Sequence, residues 1–247
     1  MTSLSEEISK KLNIYKKSYT EYTYTKCLVR GKEIIIDGKP EEKVRQFFIY
    51  FLINQSGLFP NEIDIKVESN NHDIELYKTV KNKNFKPYYS PLMIVEVKGE
   101  EENLHNHEKQ IERYLTTSCS EIGILYNYHQ IIAYIKKDAV FTSRYLKSLG
   151  DIPPLILQIT NSTQNDLLDF EQAVNGNFDS FNYLAKKYGK YALNTIIFRL
   201  KGGQLPITGC FFRFKDNKVY YDIYGKFCKK QQSFNYQDFE KLVSITY

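Results

Sequence analysis

A short apolar run, Leu92 to Val95, stands between Ser90-Pro91 and Gly99. Its length and flanking residues predict a strand buried on both faces, as strands at the centre of a sheet are. Residues 71–77 alternate between polar and apolar positions, which predicts a half-buried strand. The alternation places on one face His72, Ile74 and Leu76, and on the other Asp73 and Glu75. Residues 61–68 alternate in the same way and predict a further core strand.

Two helices are predicted around these strands. Residues 40–55 open with a proline and two carboxylates, which is typical of a helix N-terminus, and they end before a glycine. The apolar stripe of this helix consists of Val44, Phe47, Phe48, Phe51 and Leu52. Residues 104–115 also have helical spacing, and Gln110 and Tyr114 are four apart, hence on one face. With strands at 121–126 and 130–134, the order predicts an α-β-β-β-α-β-β core.

The pattern changes from Phe141 onwards. Gly150-Asp-Ile-Pro-Pro154 predicts a boundary, and 166–188 predict one or two amphipathic helices. Strands follow at 192–200, 207–215 and 218–224, and a last helix at 237–243. The strands carry aromatic residues among Arg213, Lys215 and Lys218: Phe211, Phe212, Phe214, Tyr220, Tyr221 and Tyr224. Either they form a stacking surface for single-stranded nucleic acid, or they are simply the two faces of a small sheet.

Candidate chemistry begins at Glu96 and Lys98, which have the same parity and project from one side of the central strand where it leaves the core. Burying a carboxylate and an ammonium costs free energy unless each is compensated. A hard divalent cation would compensate the carboxylate, and the lysine could then polarise a metal-bound water or neutralise a phosphate. The alternative is that the two residues only pair with each other.

A polar connection, 78–90, links the two central strands, so they can be antiparallel neighbours, with Asp73 beside Glu96. The lysines of this connection form a basic tip that either touches phosphates or is merely solvated: Lys81, Lys83 and Lys86. In the first helix, Glu41 precedes Val44 by three residues and therefore lies on the apolar stripe, whereas Glu42 is turned to its edge. We expect Glu41 to be a fourth site residue; alternatively, both glutamates only interact with the helix dipole.

The ordered set Glu41-Glu42-x-Val44-Arg45-Gln46, Asp73-Ile74, Glu96-Val97-Lys98 and Gln110-x-x-x-Tyr114 resembles the PD-(D/E)xK nuclease superfamily. It is most similar to the N-terminal nuclease domain of type I restriction enzyme motor subunits and its stand-alone relatives, over roughly Ile34 to Tyr134. One departure from the family pattern is His72, where the family has proline. The family order also favours Asp73 as the acidic ligand over its rivals Glu62 and Asp64.

The resemblance implies an α/β fold with a mixed sheet: a restriction-endonuclease-like α-β-β-β-α-β core in residues 1–140, with a small additional α+β region of unknown role in 141–247. It also implies a metal-dependent nuclease that hydrolyses DNA phosphodiester bonds, as an endonuclease in restriction or phage defence. Mg²⁺, with Mn²⁺ as a substitute, would be held by Asp73, Glu96 and the Val97 carbonyl. Lys98 would orient the attacking water, and Gln110 and Tyr114 would position the substrate.

The alternative function is a catalytically silent nucleic-acid-binding or interaction module on a nuclease scaffold. DNA is the expected partner and RNA stays open, as do a homodimer and a larger restriction or defence assembly. The chain contains no G-x-x-x-x-G-K-[ST] stretch, so no recognisable ATP motor is expected in it.

Composition changes this picture little. The net charge of +5 is mildly basic, which suits a polyanionic partner. The four cysteines are far apart and lack C-x-x-C spacing, so neither a zinc site nor a disulfide scaffold is expected. No long apolar run and no secretory signal is present, and we therefore expect a cytoplasmic protein without a membrane span.

Overall fold

The computed structural model describes residues 6, 10–79, 85, 90–118, 120–137, 140–189, 196–202, 208–224 and 232–235, without the side chains of 159–165, 232 and 234. The chain divides into two units. The first consists of Met1–Thr79 and Pro91–Leu157, and the second of Val80–Ser90 and Gln158–Tyr247. Two predicted features lie outside the described residues. They are the lysines of the basic tip, Lys81, Lys83 and Lys86, and the last helix, 237–243.

The first unit contains a small antiparallel sheet and a larger mixed one. The small sheet is formed by β1 (Tyr15–Lys16), β2 (Thr23–Lys26) and β3 (Glu33–Ile35). The large sheet has six strands in the order of the chain: β4 (Ile63–Ser69), β5 (His72–Lys78), β6 (Met93–Val97), β7 (Ile122–Tyr126), β8 (Ile131–Lys137) and β9 (Val140–Tyr145). Neighbouring strands are antiparallel except β6 and β7, which are parallel. All five residues of β6 are buried, as expected for a central strand.

The parallel pair requires a crossover, and this is supplied by a 3₁₀ turn (Leu104–His107) followed by α2 (Glu108–Ser118). The helix packs on the sheet through Ile111 and Leu115. A Cβ atom on Gly123 of β7 would lie 2.5 Å from Ile111 Cγ1, so only glycine permits this close approach. The absence of a side chain at Gly123 therefore sets the height of α2, and with it Gln110, above the sheet.

The other helix of this unit, α1 (Pro40–Asn54), is buried on most of its circumference. Phe48 packs against Tyr126 of β7 with ring centroids 5.1 Å apart, and Val44 and Leu52 are fully buried. Pro40 at the start of the helix costs no hydrogen bond, because the first helical amides have no partner within the helix.

Helix α3 (Ile152–Val174) ends in the second unit and is followed by α4 (Phe178–Tyr188). The unit also contains an antiparallel sheet of four strands: β10 (Ile197–Arg199), β11 (Phe211–Lys215), β12 (Lys218–Asp222) and β13 (Gln232–Asn235). Asn177 caps α4 by accepting a hydrogen bond from the Ser180 amide at 3.0 Å. The stretch 150–154, where the sequence predicted a boundary, leads into α3, and the division between the two units falls within this helix, between Leu157 and Gln158. Its two prolines stand in the first turn, where they are compatible with a helix.

The predicted fold class is confirmed: the chain has a mixed sheet with helices and an additional C-terminal sheet. The first domain was predicted to end at residue 140. The six-stranded sheet continues past this residue, because β9 pairs with β8 along its length. Within the described residues, no helix has both the length and the apolar character needed to cross a membrane.

Candidate active site

Glu96 and Lys98 lie at the end of the central strand β6, where the Lys98 amide donates to the Tyr126 carbonyl at 2.9 Å. The Lys98 ammonium donates to Glu96 Oε1 at 2.7 Å, and the two side chains are only 15% and 7% exposed. The predicted shared direction of the two side chains is therefore observed. A largely desolvated charge pair is a poor source of stability, which makes a chemical role for it worth examining.

Helix α2 supplies Gln110 and Tyr114 to the same place. The Gln110 amide nitrogen donates to Glu96 Oε1 at 2.7 Å and contacts the Tyr114 hydroxyl at 2.9 Å. Its amide oxygen accepts from the Lys98 ammonium at 3.3 Å. One glutamine thus fixes the carboxylate, the ammonium and the phenol relative to one another, as the four-residue spacing on the helix allows.

Asp73, at the start of β5, reaches the same end of β6. Ile74 pairs with Val95 in antiparallel register, which brings Asp73 next to Glu96. Asp73 Oδ2 accepts from the Val97 amide at 2.7 Å, and Oδ1 accepts from the Arg45 guanidinium at 2.6 Å. The structure therefore brings together Asp73, Glu96, Lys98, Gln110 and Tyr114, all of which the sequence had placed at the site.

Arg45 of α1 is a site neighbour that the sequence analysis did not single out. Its side chain is only 8% exposed, and it contacts the carboxylates of Asp73, Glu42 and Glu68 at 2.6, 2.6 and 2.9 Å. The sequence contained a signal for this neighbour, because Glu42, Arg45 and Gln46 are polar residues at i, i+3 and i+4 of the helix. This spacing marks a polar stripe beside the apolar one.

The predicted orientation of Glu41 was wrong. Glu42 is 4% exposed and accepts from the Arg45 guanidinium and, at 2.9 Å, from the Gln46 amide, whereas Glu41 is only half-buried. The apolar stripe could not identify the side of α1 that meets the site, because α1 is buried on most sides. Pro40 lies 3.3 Å from a Cβ position on Gly99, so the start of α1 is close to the end of β6 and Glu42 is the glutamate turned inwards.

The two glutamates can be told apart by substitution. We expect Glu42→Gln to lower the free energy of unfolding by roughly 1.5–3 kcal/mol, the contribution of a hydrogen bond to a charged group. Glu41→Gln, at a more exposed position, should change it by less than about 0.5 kcal/mol. Urea unfolding of both variants in EDTA measures the difference. Equal losses, or a larger loss in Glu41→Gln, would contradict the observed orientation.

His72 and Glu75 form a second buried network beside the site. The sequence placed Glu75 on a half-exposed face, but it is 1% exposed, because β5 is an interior strand covered on both faces. Burial alone would raise the pKa of Glu75, yet hydrogen bonds from His72, Tyr77 and Asn70 outweigh it and lower the pKa. The His72 ring also meets the Tyr114 ring edge-on, with centroids 4.4 Å apart, and so fixes the phenol from behind.

The rival acidic residues lie elsewhere. Asp64 is exposed on β4, and Glu62 pairs with Lys78 at 3.2 Å. His105 and His107, in the 3₁₀ turn, contact different carboxylates: Glu108 at 2.6 Å and Glu102 at 3.1 Å. Neither the two acidic residues nor the two histidines contribute to the cluster at the end of β6.

Burial has the largest effect on the electrostatics of the cluster. Burial, and after it the negative charge of Asp73, raises the pKa of the Glu96 carboxyl, although Lys98 and Gln110 act in the opposite direction. Among the described residues, no three or more His, Cys, Asp and Glu side chains are grouped as metal ligands. Two adjacent carboxylates nevertheless fit Mg²⁺, which binds through one or two carboxylates and keeps several waters.

Comparison with known proteins agrees with this geometry. Residues 40–153 match the family model described as the Type I restriction enzyme R protein N terminus. The matched range includes α1, the six-stranded sheet and α2, and hence every residue of the cluster. The resemblance inferred from the sequence is confirmed over this range. No curated protein and no solved structure matches the chain.

Proposed function

We propose that this chain, whose residues 40–153 are related to the type I restriction enzyme R protein N terminus, is a nuclease that hydrolyses DNA phosphodiester bonds with the help of Mg²⁺. The observation that supports this most strongly is the convergence of two carboxylates, an ammonium and a glutamine amide at the end of one central strand. Such a set matches the needs of metal-assisted phosphate hydrolysis.

Asp73, Glu96 and the Val97 carbonyl would hold the cation, with Mn²⁺ as a substitute. When bound, the cation polarises the scissile phosphate and lowers the pKa of a water. The Val97 amide donates to Asp73, so the carboxylate has a fixed position before any ligand arrives. Fixed ligands reduce the reorganisation that binding would otherwise require.

Lys98 would orient the attacking water or stabilise the negative charge that develops on the phosphate. Its side chain is 15% exposed, and because little water surrounds it, its charge acts more strongly than it would in bulk water. Gln110 keeps Lys98 in place through its amide oxygen, at 3.3 Å. Gln110 and Tyr114 would also position the substrate beside these groups.

Incubation of the purified chain with supercoiled plasmid, with Mg²⁺ or with EDTA, tests the proposal. We expect nicked or linear DNA with Mg²⁺ or Mn²⁺ and none with EDTA. Equal cleavage in EDTA would contradict the proposed chemistry. The same proposal assigns the chain to restriction or phage defence, either as a stand-alone enzyme or as a subunit of a larger assembly.

The affinity for Mg²⁺ should depend on pH in a specific way. Because the pKa of Glu96 is raised, the carboxyl keeps its proton to a higher pH than an ordinary glutamic acid, and cation binding must displace that proton. We expect the affinity to weaken as the pH falls, by up to about tenfold per pH unit for one proton, and this decline should begin at a higher pH than it would for an ordinary glutamic acid, whose pKa is about 4.3.

Calorimetric titration of Mg²⁺ in buffers with different ionisation enthalpies measures both the affinity and the proton release. A Mg²⁺ affinity that does not change with pH throughout the acidic range, without proton release, would contradict a site that contains Glu96. Lys66→Ala, at an exposed position of β4, serves as a control with unchanged affinity and pH dependence.

A catalytically silent interaction module is the second candidate. It is favoured by the fact that both oxygens of Asp73 already accept hydrogen bonds, one from Arg45 and one from Val97. In this case Asp73 would be a structural residue. Calorimetry separates the candidates, because the silent module binds no Mg²⁺ at millimolar concentration whereas the nuclease does.

A further inference from the structure

The sheet of the second unit has two chemically different faces. One face packs against the helices, and its residues are 2% exposed or less: Phe198, Phe212, Phe214 and Val219. Phe181 of α4 meets Phe212 and Phe214 edge-on, at centroid distances of 5.5 and 5.0 Å. Part of the aromatic set noted in the sequence is therefore core, and only the residues of opposite parity remain for a surface.

The other face, called the outer face here, combines aromatic and basic side chains with one carboxylate: Ile197, Arg199, Phe211, Arg213, Lys215, Lys218, Tyr220 and Asp222. Two of its cross-strand pairs join a guanidinium to a ring. Arg199 is paired with Phe211, at 5.7 Å from the ring centroid, and Arg213 with Tyr220, at 4.8 Å. Both rings are half-buried, so each keeps part of its surface in contact with solvent.

A cavity of about 400 Å³ adjoins the outer face at the edge strand β10. Its walls include Phe170 and Val174 of α3, Phe198 and Phe211 of the sheet, and the cations Arg199 and Lys201. The Arg199 Nε donates to the Gly209 carbonyl at 2.9 Å, which fixes the guanidinium at this position. The volume lies within the range of roughly 300–1,000 Å³ that is typical of ligand pockets.

The charge of this region is complementary to phosphate. Among the residues that the structure describes, the outer face and the cavity together carry five cations, Arg199, Lys201, Arg213, Lys215 and Lys218. The nearby carboxylates are those of Glu171, Asp216 and Asp222, of which Asp216 is 3.6 Å from Lys215. Positive charge that alternates with aromatic rings is the arrangement used for single strands, whose bases stack on the rings while cations contact the backbone.

We propose that the outer face and its cavity bind single-stranded DNA, with bases stacked on Tyr220 and Phe211 and one base in the cavity beside Arg199 and Lys201. Duplex DNA fits less well, because its bases are stacked on each other and cannot reach the rings. The choice of DNA over RNA rests on the proposed nuclease function; the binding of a single strand rests on the second unit alone.

Fluorescence anisotropy of the full chain with a labelled oligo-dT strand in EDTA tests the proposal without cleavage. Stacking of one base contributes about 1–3 kcal/mol, so Tyr220→Ala should weaken binding by roughly 5- to 150-fold without changing its salt dependence. Tyr220→Phe retains the ring and should bind like the unmodified chain. Duplex DNA of the same length should bind more weakly than the single strand.

Lys218→Ala tests the charges at an exposed position where the fold is not at risk. For single strands, each lost phosphate contact lowers the slope of log K against log salt by about 0.7, and we expect this change in Lys218→Ala. Lys186→Ala is the matched control, since Lys186 is an exposed lysine of α4, the helix that covers the opposite face. It should leave both affinity and slope unchanged.

The outcomes separate this proposal from the nuclease proposal. If Tyr220→Ala and Lys218→Ala both bind oligo-dT as the unmodified chain does, the outer face is not the binding surface, whether or not plasmid is cleaved. If duplex DNA or oligo-rU binds more tightly than oligo-dT, the assignment to single-stranded DNA is contradicted. Absence of plasmid cleavage together with Tyr220-dependent strand binding would contradict only the nuclease function.

Discussion

We expect Lys98→Ala to lower the rate of the proposed Mg²⁺-dependent plasmid cleavage by roughly 10²- to 10⁴-fold, the range for loss of a positioned proton-transfer or charge-stabilising group. The physical reason is the location of the ammonium, which is 15% exposed, 2.7 Å from Glu96 and held by Gln110. An alanine cannot orient water or stabilise a phosphate, and the remaining groups offer no replacement cation in that position.

The variant should keep its fold, because Gln110 still donates a hydrogen bond to Glu96, and it should keep its affinity for Mg²⁺. Loss of the ammonium removes a positive charge beside Glu96, so we expect the Mg²⁺ affinity measured by calorimetry to be unchanged or increased while cleavage is lost. Lys109→Ala is the matched control, because Lys109 is an exposed lysine of α2 next to Gln110. Normal cleavage by Lys98→Ala, or equal losses in both variants, would remove Lys98 from the mechanism.

Arg45→Met has the largest expected effect on stability, a loss of about 3–5 kcal/mol in the free energy of unfolding, because it leaves buried carboxylates without their partner. Methionine fills a similar volume, so the loss reports charge rather than packing. Arg45 contacts Asp73, Glu42 and Glu68, and the carboxylate of Glu42 is 6% exposed. Urea unfolding in EDTA measures the effect.

Arg30→Met is the control for this prediction. Arg30 also pairs with Glu68, but the two side chains are 29% and 48% exposed, and exposed pairs contribute about 1 kcal/mol or less. Added Mg²⁺ should stabilise Arg45→Met more than the unmodified chain, since a cation at Asp73 replaces part of the missing charge. Similar losses in both arginine variants would contradict the role of Arg45 as the buried counter-charge.

Sequence alone determined the relations that are local in the chain. The shared side of Glu96 and Lys98 follows from the two-residue period of a strand, and that of Gln110 and Tyr114 from the turn of a helix. The neighbourhood of Asp73 and Glu96 followed from the connection between two consecutive strands. Together with the family resemblance, these relations predicted the fold class and most of the residues that meet at the end of β6.

Only the tertiary structure decided which side of α1 meets the sheet. The helix is buried on most sides, so its apolar stripe carries no information about direction, and Glu42 rather than Glu41 is the buried glutamate, in contact with Arg45. The contact between Arg45 and Asp73 joins residues 28 positions apart on different elements. Such a contact depends on how the helix is packed and rotated, which residue spacing within either element does not specify.

The same distinction applies to the second unit. Spacing placed aromatic and basic residues on its strands, but Phe211 and Phe212 differ in role only because the helices cover one face of the sheet. Periodicity divides a strand into two sets of side chains, and packing against other elements determines which set becomes core and which becomes surface.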